Sequence, residues 1–293
     1  MQFVNAKINI GLQIVSRRPD GYHDLQTLFY PVGLHAGTPE NPERFCDMIE
    51  ISPVPPPGAV SLRTEGRNVD CAPEKNLVYR AAAMYMERRE VSFGADILLH
   101  KNLPDGAGMG GGSADAAFTL LEMDRLAAEA GYAPAPPEEL ASMALALGAD
   151  CPFFLLNKPA YAEGVGERLR EVPLSLDGCW ITVVKPDLHI STREAFAGVT
   201  PRPSQFPLSN LHTVPMERWR GLVHNDFEDS LFPNHPVLKD VKEGLYTLGA
   251  VYASLTGSGS ALYGIFGSHR EALQARDRFN SVPTIEASYL LKA

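Results

Sequence analysis

Four groups of residues in this chain have types and spacings that could do chemistry. The first is a glycine-rich run, Gly106-Ala-Gly-Met-Gly-Gly-Gly-Ser113, set between a strand-like stretch and a helix-like one. Glycines let backbone N–H groups approach phosphate oxygens closely, and a helix starting there adds its positive end. A dinucleotide reading through Gly106, Gly108 and Gly111 fails on context. Residues 127–147 read as helix, proline loop and helix where a second strand ending in an acid belongs. A Walker loop fails too, because no lysine precedes Ser113. Ser113 can cap the following helix or touch a phosphate, and Asp115 stands where the helix macrodipole favours a negative charge. The second group, Thr256-Gly-Ser-Gly-Ser260, lies between two strand-like runs and is either a turn or a second backbone loop approaching the same ligand. The third is a polar row, Asn5, Lys7 and Asn9, alternating with Val4, Ala6, Ile8, Ile10 and Leu12. Such a row faces water or forms one wall of a polar pocket. The fourth, Asp150, follows Gly148 at a helix end and precedes Pro152, a turn or capping position by local sequence.

The elements that must position these groups mix strands and helices without a regular βαβα repeat, which favours an α+β fold. Strands are expected over 3–12, 95–100, 181–184, 251–255, 261–266 and 288–291, with short strands either side of a turn within 161–170. A helix starting at Ser113 presents Ala116, Leu120, Met123 and Ala127 on one face. A second carries Leu140, Met143, Ala144 and Leu147 and ends near Gly148. Further helices are expected over 237–248 and 270–279. Arg17-Arg18-Pro19-Asp20-Gly21 is a turn signal, and the proline-rich segment 52–58 is expected to be an exposed loop. A domain boundary is placed near residue 170, giving portions 1–170 and 171–293.

Composition bounds the function. Of 293 residues, 45% are hydrophobic, enough for a sizeable core, and 35 acidic against 26 basic residues give a net charge of -9. That balance argues against a phosphate-backbone binder, so no nucleic-acid partner is expected; an anionic ligand would need a locally positive pocket. The first residues lack a charged-then-apolar leader pattern and the apolar runs are too short for a bilayer, so a cytoplasmic protein without a membrane partner is expected. Cys46, Cys71, Cys151 and Cys179 form no close pair, so neither a zinc knuckle nor a thioredoxin-type motif is supported and free thiols are expected.

Three segments together, the Lys7 strand, the glycine run before Ser113 and Thr256-Gly-Ser-Gly-Ser260, resemble the GHMP small-molecule kinases. The match continues through Arg18-Pro-Asp-Gly-Tyr-His-Asp-Leu25, Leu103-Pro104 to Ala117, Leu147-Gly-Ala-Asp-Cys-Pro152, Ala162-Glu-Gly-Val-Gly-Glu167 and Asn225-Asp-Phe-Glu228. Met109 and Ala114 stand where Leu and a second Ser are common in that family. The resemblance implies a two-lobed fold, an N-terminal nucleotide-binding lobe and a ferredoxin-like C-terminal lobe, with the active site between them. The Pro-Asp-Gly-Tyr-His segment further implies a cytosine-bearing substrate, diphosphocytidyl methylerythritol, phosphorylated on its 2-hydroxyl by ATP with Mg²⁺. By the same resemblance Asp150 is the base, and Lys7, beside it, stabilises charge on the phosphoryl group in a direct transfer. Tyr22 would stack on the cytosine, His23 would hydrogen-bond its edge, and Phe196 would cover its other face. Asn9, Val165, Gly257 and Ser258 would line the same substrate site. Pro104, Gly106, Gly108, Gly110, Gly111, Gly112 and Ser113 would hold the phosphates, with Asn76, Leu77 and Lys101 near the adenosine. The alternatives are a homoserine- or mevalonate-type kinase and a catalytically silent GHMP-like binding protein; a monomer or homodimer is expected.

Overall fold

The structure, a computed structural model, describes residues 1–33, 45–69 and 71–293. In its first part the chain forms β1 (Gln2–Val4), β2 (Ala6–Arg17), β3 (His23–Val32), β4 (Asp47–Val54), β5 (Val60–Gly66), α1 (Leu77–Arg89), β6 (Gly94–Lys101), α2 (Gly111–Glu129), α3 (Pro137–Leu147) and α4 (Cys151–Leu156). There follow β7 (Ala160–Gly164), β8 (Arg168–Glu171), β9 (Trp180–Pro186), α5 (Thr192–Ala197), α6 (Trp219–Leu222), α7 (Asp226–Leu231), α8 (Pro236–Thr247), β10 (Tyr252–Leu255), β11 (Leu262–Phe266), α9 (His269–Asn280) and β12 (Ile285–Lys292). These divide into two compact units, each assembled from separate stretches of chain. One comprises residues 1–6, 46–103 and 110–157; the other comprises 7–45, 104–109 and 158–293.

The first unit carries the sheet β1-β4-β6-β5, in which β5 runs parallel to β6 and the other pairs are antiparallel. Parallel neighbours require a crossover, and α1 supplies it between β5 and β6. Asn76 starts α1: its side chain accepts the Val78 N–H at 2.9 Å, a cap worth about 1 kcal/mol. The expected apolar faces are buried, Ala116, Leu120, Met123 and Ala127 on α2 and Leu140, Met143, Ala144 and Leu147 on α3. Burying such stripes, α2 against β1 and β4 and α3 against α1, α2 and α4, is what stabilises helices of this length, since propensity alone is marginal. Here the glycine run departs from expectation. Helix α2 begins at Gly111 and its cap is Gly110 (φ +72°), so Ser113 stands inside the first turn and does not cap it.

The second unit contains two sheets, β2-β3-β7-β8 and β10-β11-β9-β12. The second sheet is antiparallel throughout, with α8 preceding the β10–β11 hairpin and α9 preceding β12. That order, with the first and third strands central, is the ferredoxin-like arrangement. Leu238, Val241 and Leu245 of α8 and Ala272, Ala275 and Phe279 of α9 pack in its core with Leu255, Leu262 and Phe266.

Two other expectations need correction. The segment 52–58 is not wholly a loop: β4 runs on to Val54, because its backbone pairs with β6 as far as Val54↔Gly94. The strand expected over 3–12 is broken at Asn5 into β1 and β2, and its polar face does not meet water. Asn5, Lys7 and Asn9 are only 3%, 2% and 2% exposed. All four cysteines are free, and among the described residues no helix is long and apolar enough to cross a membrane.

Candidate active site

In the second unit, Lys7 enters on β2 with its backbone N–H donating to the Met109 carbonyl at 3.0 Å. Its ammonium donates to Asn9 Oδ1 at 2.6 Å and to the Gly108 carbonyl at 2.9 Å, and it lies 5.1 Å from the centre of the Phe29 ring. A lysine this deep is tolerated only with such partners. The Asn9 amide is oriented in turn: its Nδ2 donates to Thr27 Oγ1 at 2.9 Å, and the Thr27 hydroxyl donates to the Gly11 carbonyl at 2.6 Å. Its Oδ1 therefore faces the ammonium.

The two Gly-Ser segments meet in this unit. The Ser260 N–H donates to the Gly106 carbonyl at 3.0 Å. A Cβ on Gly108 (φ +70°) would lie 2.1 Å from the Thr256 carbonyl oxygen, so this approach requires glycine. The Thr256 hydroxyl, fully buried, accepts the Asn9 N–H at 3.1 Å and reaches the Gly108 carbonyl at 3.2 Å. Lys7, Asn9, Gly108, Gly257 and Thr256 are thus one constellation of backbone and side chain. The His23 ring stacks on Phe196, centroids 4.8 Å apart and 19° between planes, with Phe227 edge-on behind Phe196 at 4.8 Å. Tyr22 stands on the turn at 65% exposure, following Gly21 (φ +89°), where Arg18 N–H donates to the Tyr22 carbonyl at 2.8 Å. The Val165 N–H donates to Glu167 Oε2 at 2.7 Å.

The first unit holds the remaining candidates. Lys101, at the end of β6, bridges two buried carboxylates: it donates to Asp47 Oδ2 and, at 2.7 Å, to Asp115 Oδ2. Asp47 Oδ1 accepts the N–H groups of Asn102 and Leu103 at 2.7 and 2.9 Å. Burial acts to lower the Lys101 ammonium, and Asp115 and Asp47 more than reverse it, so the lysine is held charged. Burial pushes the Asp115 carboxyl up to about 7 against the pull of Lys101, with Asp47 adding to the rise. Asp115 Oδ1 is buried without a hydrogen-bond partner. Asp150 precedes α4 without capping it through its side chain. Next to it Cys151 is buried, its thiol pushed up to about 11 by desolvation despite a hydrogen bond with Ser113, which makes it a poor nucleophile.

Residues 76–158 match the GHMP kinases N terminal domain and residues 214–284 the GHMP kinases C terminal domain. A 4-diphosphocytidyl-2-C-methyl-D-erythritol kinase of Bacteroides thetaiotaomicron is 43% identical over 90% of this chain and 91% of its own. The chain belongs to the GHMP kinases. The enzyme of that same name from Solidesulfovibrio magneticus is 37% identical to this GHMP kinase, over 93% of this chain and 90% of its own. A crystal structure of 4-(cytidine 5'-diphospho)-2C-methyl-D-erythritol kinase superposes with a TM-score of 0.79 at 32% identity, covering 100% of this chain and 99% of that one. A homoserine kinase from Cytophaga hutchinsonii has a TM-score of 0.68 at 18% identity, covering 99% of this chain and 95% of its own, and shares the fold.

Several residues that organise this GHMP kinase were not singled out as site residues from sequence. Asn225 caps α7 and donates to the Leu255 and Gly257 carbonyls, both at 2.9 Å, so it ties the second Gly-Ser segment down. Asp226 accepts the Ile14 N–H of β2 at 2.8 Å, and Glu228 accepts the Leu255 N–H at 2.9 Å. The Asn225-to-Glu228 run had appeared only as a family match; its partners lie far away in sequence. Asp47 had no signal at all. His224, Asp226 and Asp229 bring three metal-capable atoms together, but Arg202 donates to both aspartates, at 2.7 and 3.0 Å. That guanidinium supplies the positive charge a cation would bring, and the cluster is a salt-bridge network.

Proposed function

We propose that this GHMP kinase transfers the γ-phosphoryl group of ATP to the 2-hydroxyl of 4-diphosphocytidyl-2-C-methyl-D-erythritol, giving the 2-phosphate and ADP in non-mevalonate isoprenoid synthesis. The observation that carries the substrate assignment is identity above 40% to an enzyme of that name across nine-tenths of both chains. Asp150 accepts the hydroxyl proton, and Lys7 stabilises negative charge on the phosphoryl group as it moves. Such a transfer needs no phospho-enzyme. Phosphoryl transfer is mostly positioning and charge stabilisation, and a lysine clasped by two fixed oxygens suits that task.

The backbone from Gly106 to Ser113, with Pro104, Gly110, Gly111 and Gly112, holds the phosphates, through which Mg²⁺ would be bound, neutralising part of their charge. Asn76 and Leu77 sit at the start of α1 and Lys101 at the end of β6, on the adenosine side of this assignment. Tyr22, His23 and Phe196 take the cytosine, with Asn9, Val165, Gly257 and Ser258 lining the rest. A division near residue 170, a cytoplasmic location and a monomer or homodimer belong to the same proposal.

The test is ADP release with ATP and three acceptors: diphosphocytidyl methylerythritol, mevalonate and homoserine. Turnover is expected with the first alone. Preference for another acceptor would replace the substrate, and ATP consumption coupled to none of them would leave a binding protein. Within the same assay Asp150→Asn should lower turnover about 10²-fold or more while ATP still binds; near-native turnover removes Asp150 from the chemistry.

A further inference from the structure

Lys7 and Thr256 address the same two oxygens. The ammonium of Lys7 donates to Asn9 Oδ1 at 2.6 Å and to the Gly108 carbonyl at 2.9 Å. The Thr256 hydroxyl lies 3.2 Å from that carbonyl and 3.4 Å from that Oδ1, and it accepts the Asn9 N–H at 3.1 Å. We infer that Thr256 is a positioning residue for Lys7: its hydroxyl, accepting the Asn9 N–H and donating to the Gly108 carbonyl, sets the spacing of the two oxygens that aim the ammonium. The inference rests on the reading of Lys7 as catalytic.

Asn9 is two residues beyond Lys7 on β2, so strand alternation places both side chains on one face. That pairing alone does not set the height of the Asn9 amide or of the Gly108 carbonyl, which belongs to the glycine run. Thr256 joins the two, and it is itself held from behind. Its N–H donates to the Ala261 carbonyl at 3.0 Å, and Asn225 grips the neighbouring Leu255 and Gly257 carbonyls. On the strand side, the Tyr263 hydroxyl donates to the Asn9 carbonyl at 2.8 Å. Thr256 therefore acts as a rigid post between the lysine strand and the glycine run. It has no exposed surface, so contact with solvent is not its role.

A hydroxyl that only held the loop together would affect folding or ATP affinity. A hydroxyl that aims the ammonium affects the transfer step and loses its effect when the ammonium is gone. The experiment is a double-mutant cycle of Thr256→Val with Lys7→Met, read as kcat and KM for ATP and for diphosphocytidyl methylerythritol, with Thr256→Ser as rescue. Thr256→Val in the native background is expected to lower kcat about tenfold with both KM values within about threefold of native. Thr256→Ser, which keeps the hydroxyl, is expected to restore most of the loss, and Thr256→Val on top of Lys7→Met should cost nothing further. Equal losses in both backgrounds, a change confined to the ATP KM, or native kcat in Thr256→Val would each overturn the inference. Native kcat in Lys7→Met would instead remove Lys7 from the chemistry, a separately visible outcome. Should Thr256→Val not fold, Thr256→Ala against Thr256→Ser carries the same cycle.

Discussion

Two buried lysines are held, each within its own unit, by different kinds of acceptor. Inside the second unit, Lys7 is clasped by neutral oxygens, an amide and a backbone carbonyl. In the first unit, Lys101 is clasped by two carboxylates, Asp47 and Asp115. Neutral acceptors orient an ammonium, whereas a pair of carboxylates ties it into an ion cluster. The difference separates the two lysines by task. Lys101 pins the end of β6 to β4 and α2, as an ion cluster does at a structural joint. Lys7 is aimed. Proximity to the glycine run, where a Gly111 Cβ would lie 3.6 Å from Lys101 Nζ, does not by itself make Lys101 a phosphate ligand.

Removing Lys101 should give the largest effect. Lys101→Met strands two buried carboxylates, and breaking a buried pair from one side costs about 3–5 kcal/mol. The expected outcome is a marked fall in the thermal midpoint. Adding Asp115→Asn to Lys101→Met should recover part of the fall, because one of the stranded charges is then gone. A Lys101→Met chain that melts with the native protein would show that the ion cluster does not hold the unit together and leave Lys101 only its proposed place on the adenosine side.

Lys7→Met should show the complementary pattern. Turnover is expected to fall about 10²-fold or more, in the range that single charge-stabilising groups contribute. The thermal midpoint should move less than in Lys101→Met. Within its own unit Lys7 leaves behind two neutral oxygens that still lie within reach of the Thr256 hydroxyl, and an unpaired neutral group costs about 1–3 kcal/mol. Circular-dichroism melts and ADP release on the same preparations separate the two patterns. A Lys7→Met chain as unstable as Lys101→Met, with turnover lost only in proportion to unfolded protein, would erase the contrast.

How much of this was legible in the sequence follows from where the partners lie. The alternation of Val4 to Leu12 exposes the strand, and Lys7 with Asn9 two residues on exposes half of the Lys7 clasp. The other half comes from Gly108 and Thr256, 101 and 247 residues from Lys7 and Asn9 in sequence, and no local pattern reports it. For the same reason the face bearing Lys7 could equally have faced water. The helices α2, α3, α8 and α9 show because each buries an apolar stripe of its own sequence. Helix α1 buries such a stripe as well, Val78, Ala81, Ala82 and Tyr85, so its spacing is present in the sequence; strand β5 has none. Strand β5, VSLRTEG, buries almost nothing, and its existence depends on parallel pairing with β6. Asp47, 54 residues from Lys101, is a plain acidic residue until the fold brings the two together. Asn76 illustrates the converse: as a helix cap it has a local role complete in itself, whatever else it touches.

The smallest effect concerns the charge balance around Lys101. Two carboxylates on one ammonium leave an excess negative charge in a buried place. Burial, with Asp47 in support, pushes Asp115 up to about 7, against an ordinary carboxyl near 4 in the unfolded chain. A carboxyl raised on folding binds its proton more tightly in the native state, so unfolding releases that proton between about pH 4 and pH 7. Its contribution to stability is complete below that window and is lost as pH rises through it. Asp115→Asn keeps an oxygen for Lys101 and cannot titrate. The native chain should therefore lose ground to Asp115→Asn as pH rises from about 4 to about 7, by a few degrees of thermal midpoint, with little further change above. Melts at pH 5 and pH 8 suffice. Parallel pH profiles for the two chains would show that Asp115 is ionised throughout, so that Lys101 holds both carboxylates charged and the cluster carries its negative excess without relief. The contrast with Lys7 would then sharpen, because the buried lysine of the first unit would sit in a net negative cage at every working pH.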